Sequence, residues 1–469
     1  MVPGLSRELE IRGNAVEIIL PKYASLRYSA IWDLAPSYQD LPVPWYGDEV
    51  RCTVWFGYAN GRKCFFIEPH SAAGFFGRER MYGYGDDAER FAFFSKAALE
   101  FMVRAGKHPD VVHCHDWQTG FVPVLLREQY GAVMPGQKVC YTVHNFRHQG
   151  TGDEQVLWAT QLGRPDHFLD SDQLGDDFRY RGLNPMKGGI AYSDFVTTVS
   201  PSHADEVLYG DGASGLGRIL KEHQHKFRGI LNGVDYDAWN PETDPQLPVH
   251  YSLDTVARKY GDKEALRDRF WLRQNRSPLV AYVGRLDEQK GMHLVHHALF
   301  HTLSRGGQFV LMGDGHHHDS INDHFRHLKD YLNDNPDCHL ELAYREDLAH
   351  LIYAGADLLV VPSMFEPCGL APLIAMRYGT VPVVRATGGM IDTVFDRDYS
   401  GRRPAERNGF VFHHTDNQAL ESALGRALRL WSAQPREFRE LAVNGMRADY
   451  SWAQPGQDYL EVYEEIRHG

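Results

Sequence analysis

Short runs of β-branched and aromatic residues alternate with longer stretches of helical periodicity along almost the whole chain, and this alternation limits the folds open to it. In the first half the runs are Ala15 to Leu20, Val50 to Phe56, Lys63 to Ile67, Val111 to His115, Val139 to His144 and Phe195 to Ser200. In the second half they are Leu279 to Val283, Phe309 to Met312, Leu340 to Ala343, Leu358 to Val361 and Val381 to Val384. Helical patterns lie between them at Phe93 to Ala105, Met292 to Ser304, Asp347 to Gly355 and Ala419 to Trp431. Near-continuous apolar strands separated by helices predict an α/β fold, with parallel sheets covered by helices on both faces.

A chain of 469 residues exceeds one ordinary hydrophobic core, so two doubly wound domains are expected. The polar, proline-containing stretch Trp239 to Leu253 separates the two series of strands. The predicted division is an N-terminal domain over 1–230, a C-terminal domain over 231–448 and a C-terminal piece over 449–469. The helix of that last piece, Asp458 to Arg467, is expected to pack back on the N-terminal domain. Gly4 to Ile11 reads as a helix with no strand before it, whereas doubly wound domains open with a central strand, so a strand is expected upstream of Met1.

Charge and cysteine usage remove several classes of partner. Against 62 Asp and Glu stand 49 Lys and Arg, a net charge of −13, which argues against nucleic acid or an anionic membrane as a ligand. Any bound phosphate has to be held by a few placed cations. Cys52, Cys64, Cys114, Cys140, Cys338 and Cys368 form no CxxC pair, which predicts reduced thiols and a cytoplasmic location. No apolar run approaches the roughly 20 residues of a membrane helix, and residues 1–20 lack the regions of a signal peptide.

Ligands of open α/β sheets bind beyond the carboxyl ends of the strands, so the residues just after each apolar run carry the functional information. Leu279 to Val283 is followed by Gly284-Arg285-Leu286-Asp287-Glu288-Gln289-Lys290-Gly291, two cations where a strand gives way to a helix. A forked guanidinium and a point charge neutralise a diphosphate without a metal, although a solvated turn with ordinary surface cations has the same pattern. Leu358 to Val361 is followed by a turn containing Glu366, Cys368, Gly369, Leu370 and Ala371, which leads into a helix. Free backbone N–H groups there suit a phosphate and the carboxylate suits sugar hydroxyls; an ordinary tight turn with an exposed glutamate is the alternative. In the first half, polar groups at the ends of two strands, Asp116 and His144 among them, converge on one crevice; His113 and His115 with Asp116 suggest a metal, but the alternate strand residues share a face with no third ligand at a recognisable spacing. His316, His317 and His318 read as a polar loop, and no metal is assigned.

Taken in order, these segments resemble the bacterial and plant-type glycogen and starch synthases, glycosyltransferase family 5, with cyanobacterial-type members most similar. The resemblance rests on Pro109 to Trp117 (PDVVHCHDW), Tyr141 to Asn145 (YTVHN), Met186 to Ile190 (MKGGI) and Thr198 to Pro201 (TVSP). It continues through Leu231 to Asp235 (LNGVD), Tyr282 to Leu286 (YVGRL), Gln289 to Gly291 (QKG) and Phe365 to Leu370 (FEPCGL). It implies a GT-B fold, two Rossmann-like domains facing a cleft. The implied activity is retaining transfer of glucose from ADP-glucose to the non-reducing 4-hydroxyl of an α-1,4-glucan, with no cofactor.

By the same resemblance, Arg285 and Lys290 hold the donor diphosphate and Glu366 contacts the transferred glucose. Asp116 and His144 line the sugar pocket, Asn232 reaches the donor, and Tyr344 stacks on the base. The N–H groups of Cys368, Gly369, Leu370 and Ala371 serve sugar and phosphate, and Thr387 opens a second glycine-rich turn. Tyr82, Tyr84 and Arg90, beside Asp86, Asp87, Phe91 and Phe94, resemble the acceptor-side segment, though the aromatics suit a helix core equally. Two departures stand out: Val2 to Glu8 lines up just after the family's Lys-x-Gly-Gly turn, and Ala371 replaces a frequent threonine. A catalytically impaired glucan-binding protein, or a GT-B transferase with another acceptor such as a sucrose-forming enzyme, are the alternatives.

Overall fold

A computed structural model describes residues 1–169, 173–313 and 319–469; the polar loop read at His316, His317 and His318 lies outside the described residues. The chain forms two compact units, one of Met1–Leu231 with Ala453–Gly469 and one of Asn232–Trp452.

The first unit contains β1 (Ile18–Pro21), β2 (Ile31–Trp45), β3 (Asp48–Ala59), β4 (Arg62–Pro69), β5 (Val111–His115) and β6 (Lys138–Val143). After these come β7 (Gly152–Asp153), β8 (Gly182–Leu183), β9 (Phe195–Thr198) and β10 (Phe227–Gly229). β10-β9-β6-β5 is a parallel sheet, whereas β1-β4-β3-β2 is a separate mixed sheet in which only β1 and β4 run parallel. The runs at Val50 to Phe56 and Lys63 to Ile67 therefore belong to a mixed sheet beside the parallel one that was expected. Tyr46-Gly47 and Asn60-Gly61 each place two consecutive residues at positive φ and join strands by two-residue loops. That backbone matches the twist of an antiparallel hairpin. The long strand β2 escapes a reading of apolar runs because Pro36, Pro42 and Pro44 interrupt it; proline lacks the ladder donor and is tolerated here because β2 is the sheet's edge.

The helix Asp87–Arg104 packs on both β2 and β4 and buries Phe91, Phe93, Phe94 and Phe101, together with the polar side chains of Arg90, Ser95 and Lys96. The C-terminal helix Ala453–His468 packs on the helix Val2–Ile11 and on β6. Tyr459 and Val462 are completely buried there, and Arg12 donates to the Ala453 carbonyl at 2.7 Å. His113, inside β5, uses both ring nitrogens: Nδ1 lies 2.7 Å from the Tyr463 hydroxyl and Nε2 lies 2.7 Å from Oγ1 of Thr142.

The second unit is built on one six-stranded parallel sheet: β11 (Leu279–Val283), β12 (Gln308–Met312), β13 (Cys338–Glu341), β14 (Leu358–Val361), β15 (Val381–Arg385) and β16 (Phe410–Phe412). Its order is β13-β12-β11-β14-β15-β16, so the direction of winding reverses between β11 and β14. Apolar clusters fill both faces of this sheet, as near-continuous apolar strands require. All six cysteines are unpaired and buried, and among the described residues no helix is long and apolar enough to cross a membrane.

Two predictions follow from the helix that returns to the first unit. Tyr459→Ala removes a fully buried aromatic and is expected to cost about 3–5 kcal/mol, read from the chemical-denaturation midpoint of that unit. Burial, with His144 nearby, lowers the His113 pKa from 6.5 to about 3. Between those values the unfolded chain binds the proton and the folded chain does not, so stability falls as the pH drops from 6.5 towards 3. His113→Gln should flatten that dependence in a pH series of thermal melts.

Candidate active site

In the second unit the segments leaving β11 and β14 interlock. After β11, the Tyr282 hydroxyl donates to the Arg285 carbonyl at 2.7 Å, and Oδ1 of Asp287 accepts from the Lys290 backbone N–H at 3.2 Å. Gly291 then adopts φ +68°, and a Cβ there would stand 2.3 Å from the Pro362 carbonyl oxygen, so glycine is what lets the two segments touch. The Met364 N–H donates to the Gln289 carbonyl at 2.7 Å, and Gln289 Nε2 donates to the Phe365 carbonyl at 3.3 Å.

These contacts deliver Lys290 to Glu366, Nζ to Oε2 at 2.6 Å, and the Ser363 hydroxyl donates to the same oxygen at 2.8 Å. Only 18% of the lysine side chain and 12% of the glutamate side chain are exposed. Arg285 differs, with 58% of its side chain exposed and Nη1 3.0 Å from Asp287 Oδ2. One cation is therefore held in place and the other stands in solvent, two residue types that together suit a diphosphate.

β15 adds a third segment. Gly388, at φ +48°, lies so close to the Glu366 carbonyl that a Cβ would stand 2.1 Å from its oxygen, and the Gly389 N–H donates to that carbonyl at 3.2 Å. Thr387 just before it is buried. Arg385 donates from Nε to the Ser363 carbonyl at 2.7 Å and also to the Met364 carbonyl, bracing the turn from behind. Gly369, at φ +79°, caps the helix Leu370–Arg377, whose first-turn N–H groups include those of Leu370 and Ala371.

Cys368 is buried, which pushes its thiol up to about 12, and Asn232 hydrogen-bonds to it. Among the described residues, the buried Oδ1 of Asn232 has no hydrogen-bond partner. Tyr344 follows β13 at the sheet's far side and is 58% exposed, a free aromatic face. Burial of its hydroxyl, with Glu346 adding to it, raises its pKa.

In the first unit, Asp116 at the tip of β5 holds φ +57°, an uncommon conformation for a residue other than glycine. Its N–H donates to the Thr142 carbonyl at 2.9 Å, and its Oδ1 accepts the His144 N–H from the tip of β6 at 2.7 Å. His115 Nδ1 lies 3.3 Å from His144 Nε2. Burial lowers both imidazoles below their ordinary value, with Asp116 opposing this at His144, so both are neutral at pH 7 and one ring donates to the other.

The acceptor-side expectations divide. Tyr82 is exposed, and Phe91 and Phe94 are core residues of the helix they belong to. Tyr84 accepts from the Arg80 N–H at 3.0 Å and stacks with Arg78 at 4.9 Å. Arg90 is corrected: it is completely buried and donates to Asp87 at 2.8 Å, to the Phe75 carbonyl at 2.9 Å and to the Met81 carbonyl. A guanidinium has enough donors to tie down the whole loop before the helix, and that is its use here. Ser363, Gln289 and Arg385 were missed from the sequence; a polar residue directly after an apolar strand was the available signal for Ser363 and Arg385.

Residues 1–222 match the family described as starch synthase catalytic domain, and residues 264–443 match glycosyl transferases group 1. The chain is 58% identical over 470 aligned positions to glycogen synthase 1 of Synechococcus sp. strain JA-3-3Ab, covering 100% of this chain and 96% of the relative. It is 57% identical to glycogen synthase 2 of Methylococcus capsulatus, covering 100% and 96%. The catalytic domain of starch synthase IV from Arabidopsis thaliana, solved bound to ADP and acarbose, superposes with a TM-score of 0.95 at 39% identity over 100% of this chain and 95% of that one. Sucrose-phosphate synthase from Thermosynechococcus elongatus shares the fold alone, at a TM-score of 0.60 and 21% identity over 99% and 92%. The chain belongs to the family of bacterial and plant-type glycogen and starch synthases, glucosyltransferases of the GT-B fold.

Proposed function

We propose that this chain transfers glucose from ADP-glucose to the non-reducing 4-hydroxyl of an α-1,4-glucan, with retention of configuration and release of ADP, and that it does so in the cytoplasm. The observation that carries the reading is the Lys290–Glu366 pair at the reversal of the sheet, with Arg285 beside it. In the Arabidopsis relative, starch synthase IV is bound to ADP and acarbose, which favours an adenine nucleotide donor here.

In this reading Arg285 and Lys290 neutralise the diphosphate and no metal takes part. Glu366 accepts hydrogen bonds from hydroxyls of the transferred glucose, and Lys290, paired with it in the free chain, turns towards the incoming phosphate. First-turn N–H groups of the helix Leu370–Arg377 add donors for the same anion, the neighbouring N–H groups of Cys368 and Gly369 serve the sugar, and Thr387 borders them. Asn232, whose Oδ1 is buried and unpaired, contacts the donor, and Tyr344 stacks on the adenine. In the first unit, Asp116 and His144 serve the glucose and Tyr82 the glucan. The acceptor hydroxyl attacks the anomeric carbon as the carbon–oxygen bond to phosphate breaks. Its proton passes to the leaving phosphate oxygen, and the cations stabilise the charge developing there.

Labelled glucose from ADP-glucose is expected to enter glycogen and maltooligosaccharides; no incorporation by folded protein would refute the assignment, and transfer to fructose-type acceptors instead would overturn the acceptor. Lys290→Ala and Arg285→Ala are each expected to lower kcat/KM by about 10²–10³. Glu366→Gln, which keeps the hydrogen-bonding shape but loses the charge, should lower kcat more than it raises KM.

A further inference from the structure

Away from the sheet tips of the second unit, the helices Met292–Ser304 and Asn417–Ala433 pack against each other, and three metal-ligating side chains meet on their seam. His297 and His301 stand four residues apart on the first helix, so they share a face, and Glu421 reaches them from the second. We propose that His297, His301 and Glu421 form a site for a late first-row divalent cation, zinc in the first instance, which clamps the two helices together.

The geometry is close to what such an ion needs. Each residue offers one ligand atom, and the three atoms lie within 4.8 Å of one another. His297 Nε2 is 2.7 Å from a Glu421 oxygen and His301 Nδ1 is 3.7 Å from the same atom. Ligand atoms about 2.0–2.2 Å from a tetrahedral zinc stand roughly 3.3–3.5 Å apart, so small side-chain rotations close the site. A helical pair of histidines four apart with one carboxylate supplies three protein ligands and leaves a fourth position for water.

The second observation is the state of His301. Its Nδ1 is beyond hydrogen-bond reach of Glu421, and its buried Nε2 has no hydrogen-bond partner among the described residues. A cation taken at Nδ1 gives the ring a partner on the side where Glu421 stands too far for a hydrogen bond. His301 is buried on the first helix and Glu421 is exposed on the second. Arg305 is the opposing charge near both groups. Two imidazoles with one carboxylate select zinc-type ions over magnesium and calcium, which require oxygen ligands.

The helix carrying the two histidines starts directly after Gly291, so the clamp steadies the element behind the Lys290 turn. The test uses the full chain, stripped with EDTA and titrated with zinc chloride by calorimetry, with cobalt chloride by visible absorption, and with magnesium chloride as control. The expected result is one equivalent of zinc per chain at micromolar concentration, cobalt bands of a four-coordinate centre, and a thermal midpoint that rises with zinc but not with magnesium. Glu421→Gln and His297→Gln, both at partly exposed positions, should weaken zinc binding tenfold or more while melting like the parent in EDTA. Zinc uptake equal in the parent and in the His297→Gln/Glu421→Gln double variant, or no uptake by the parent, overturns the proposal.

Discussion

β11 and β14 are parallel neighbours although β12 and β13 lie between them in the chain, and the meeting of Lys290 with Glu366 depends on that pairing. Where winding reverses, the two segments leaving adjacent strands diverge to opposite faces and leave their tips open to a ligand. Lys290 and Glu366 belong to those two segments and meet at 2.6 Å only because the strands beneath them are hydrogen-bonded side by side. The close approach of Gly291 to Pro362 and of Gly388 to Glu366 then presses three successive turns into one surface.

A largely buried ammonium and carboxylate are stable in the free chain because each satisfies the other, with Ser363 completing the carboxylate's hydrogen bonds. Arg285 is mostly exposed, and its fork stays in contact with water beside Asp287. The histidines at the tips of β5 and β6 follow a different logic: burial keeps them neutral, so they act by hydrogen bonding rather than by charge.

Polar residues in these units divide by what surrounds them more than by type. His113, two residues before His115 at the strand's end, spends both nitrogens on Tyr463 and Thr142 and ties the C-terminal helix to the parallel sheet. Arg90, in a segment rich in aromatic and charged residues, is consumed by carbonyls of its own loop, leaving Tyr82 as the exposed aromatic there. Among the described residues, His297 and His301, on a helix with no part in the motifs, come nearest to a metal site.

Strand positions from β11 to β15 were legible in the sequence to within a residue or two, because a strand buried on both faces has to be apolar throughout and nothing else of that length has to be. The motif residues at strand tips were legible for a related reason: a ligand site at a sheet's carboxyl end needs polar groups immediately after an apolar run. The family, too, followed from the order of those motifs. The edge strand β2, interrupted by prolines and exposed on one side, carries no such signature, and its place was decided by the hairpin turns and by the helix Asp87–Arg104 packed against it. Whether Arg90 faces solvent, which partner holds Lys290, and which histidines share a seam are all set by distances between residues far apart in the chain. Those distances exist only once strands and helices have packed, which is why the tertiary structure decided them and the sequence alone did not.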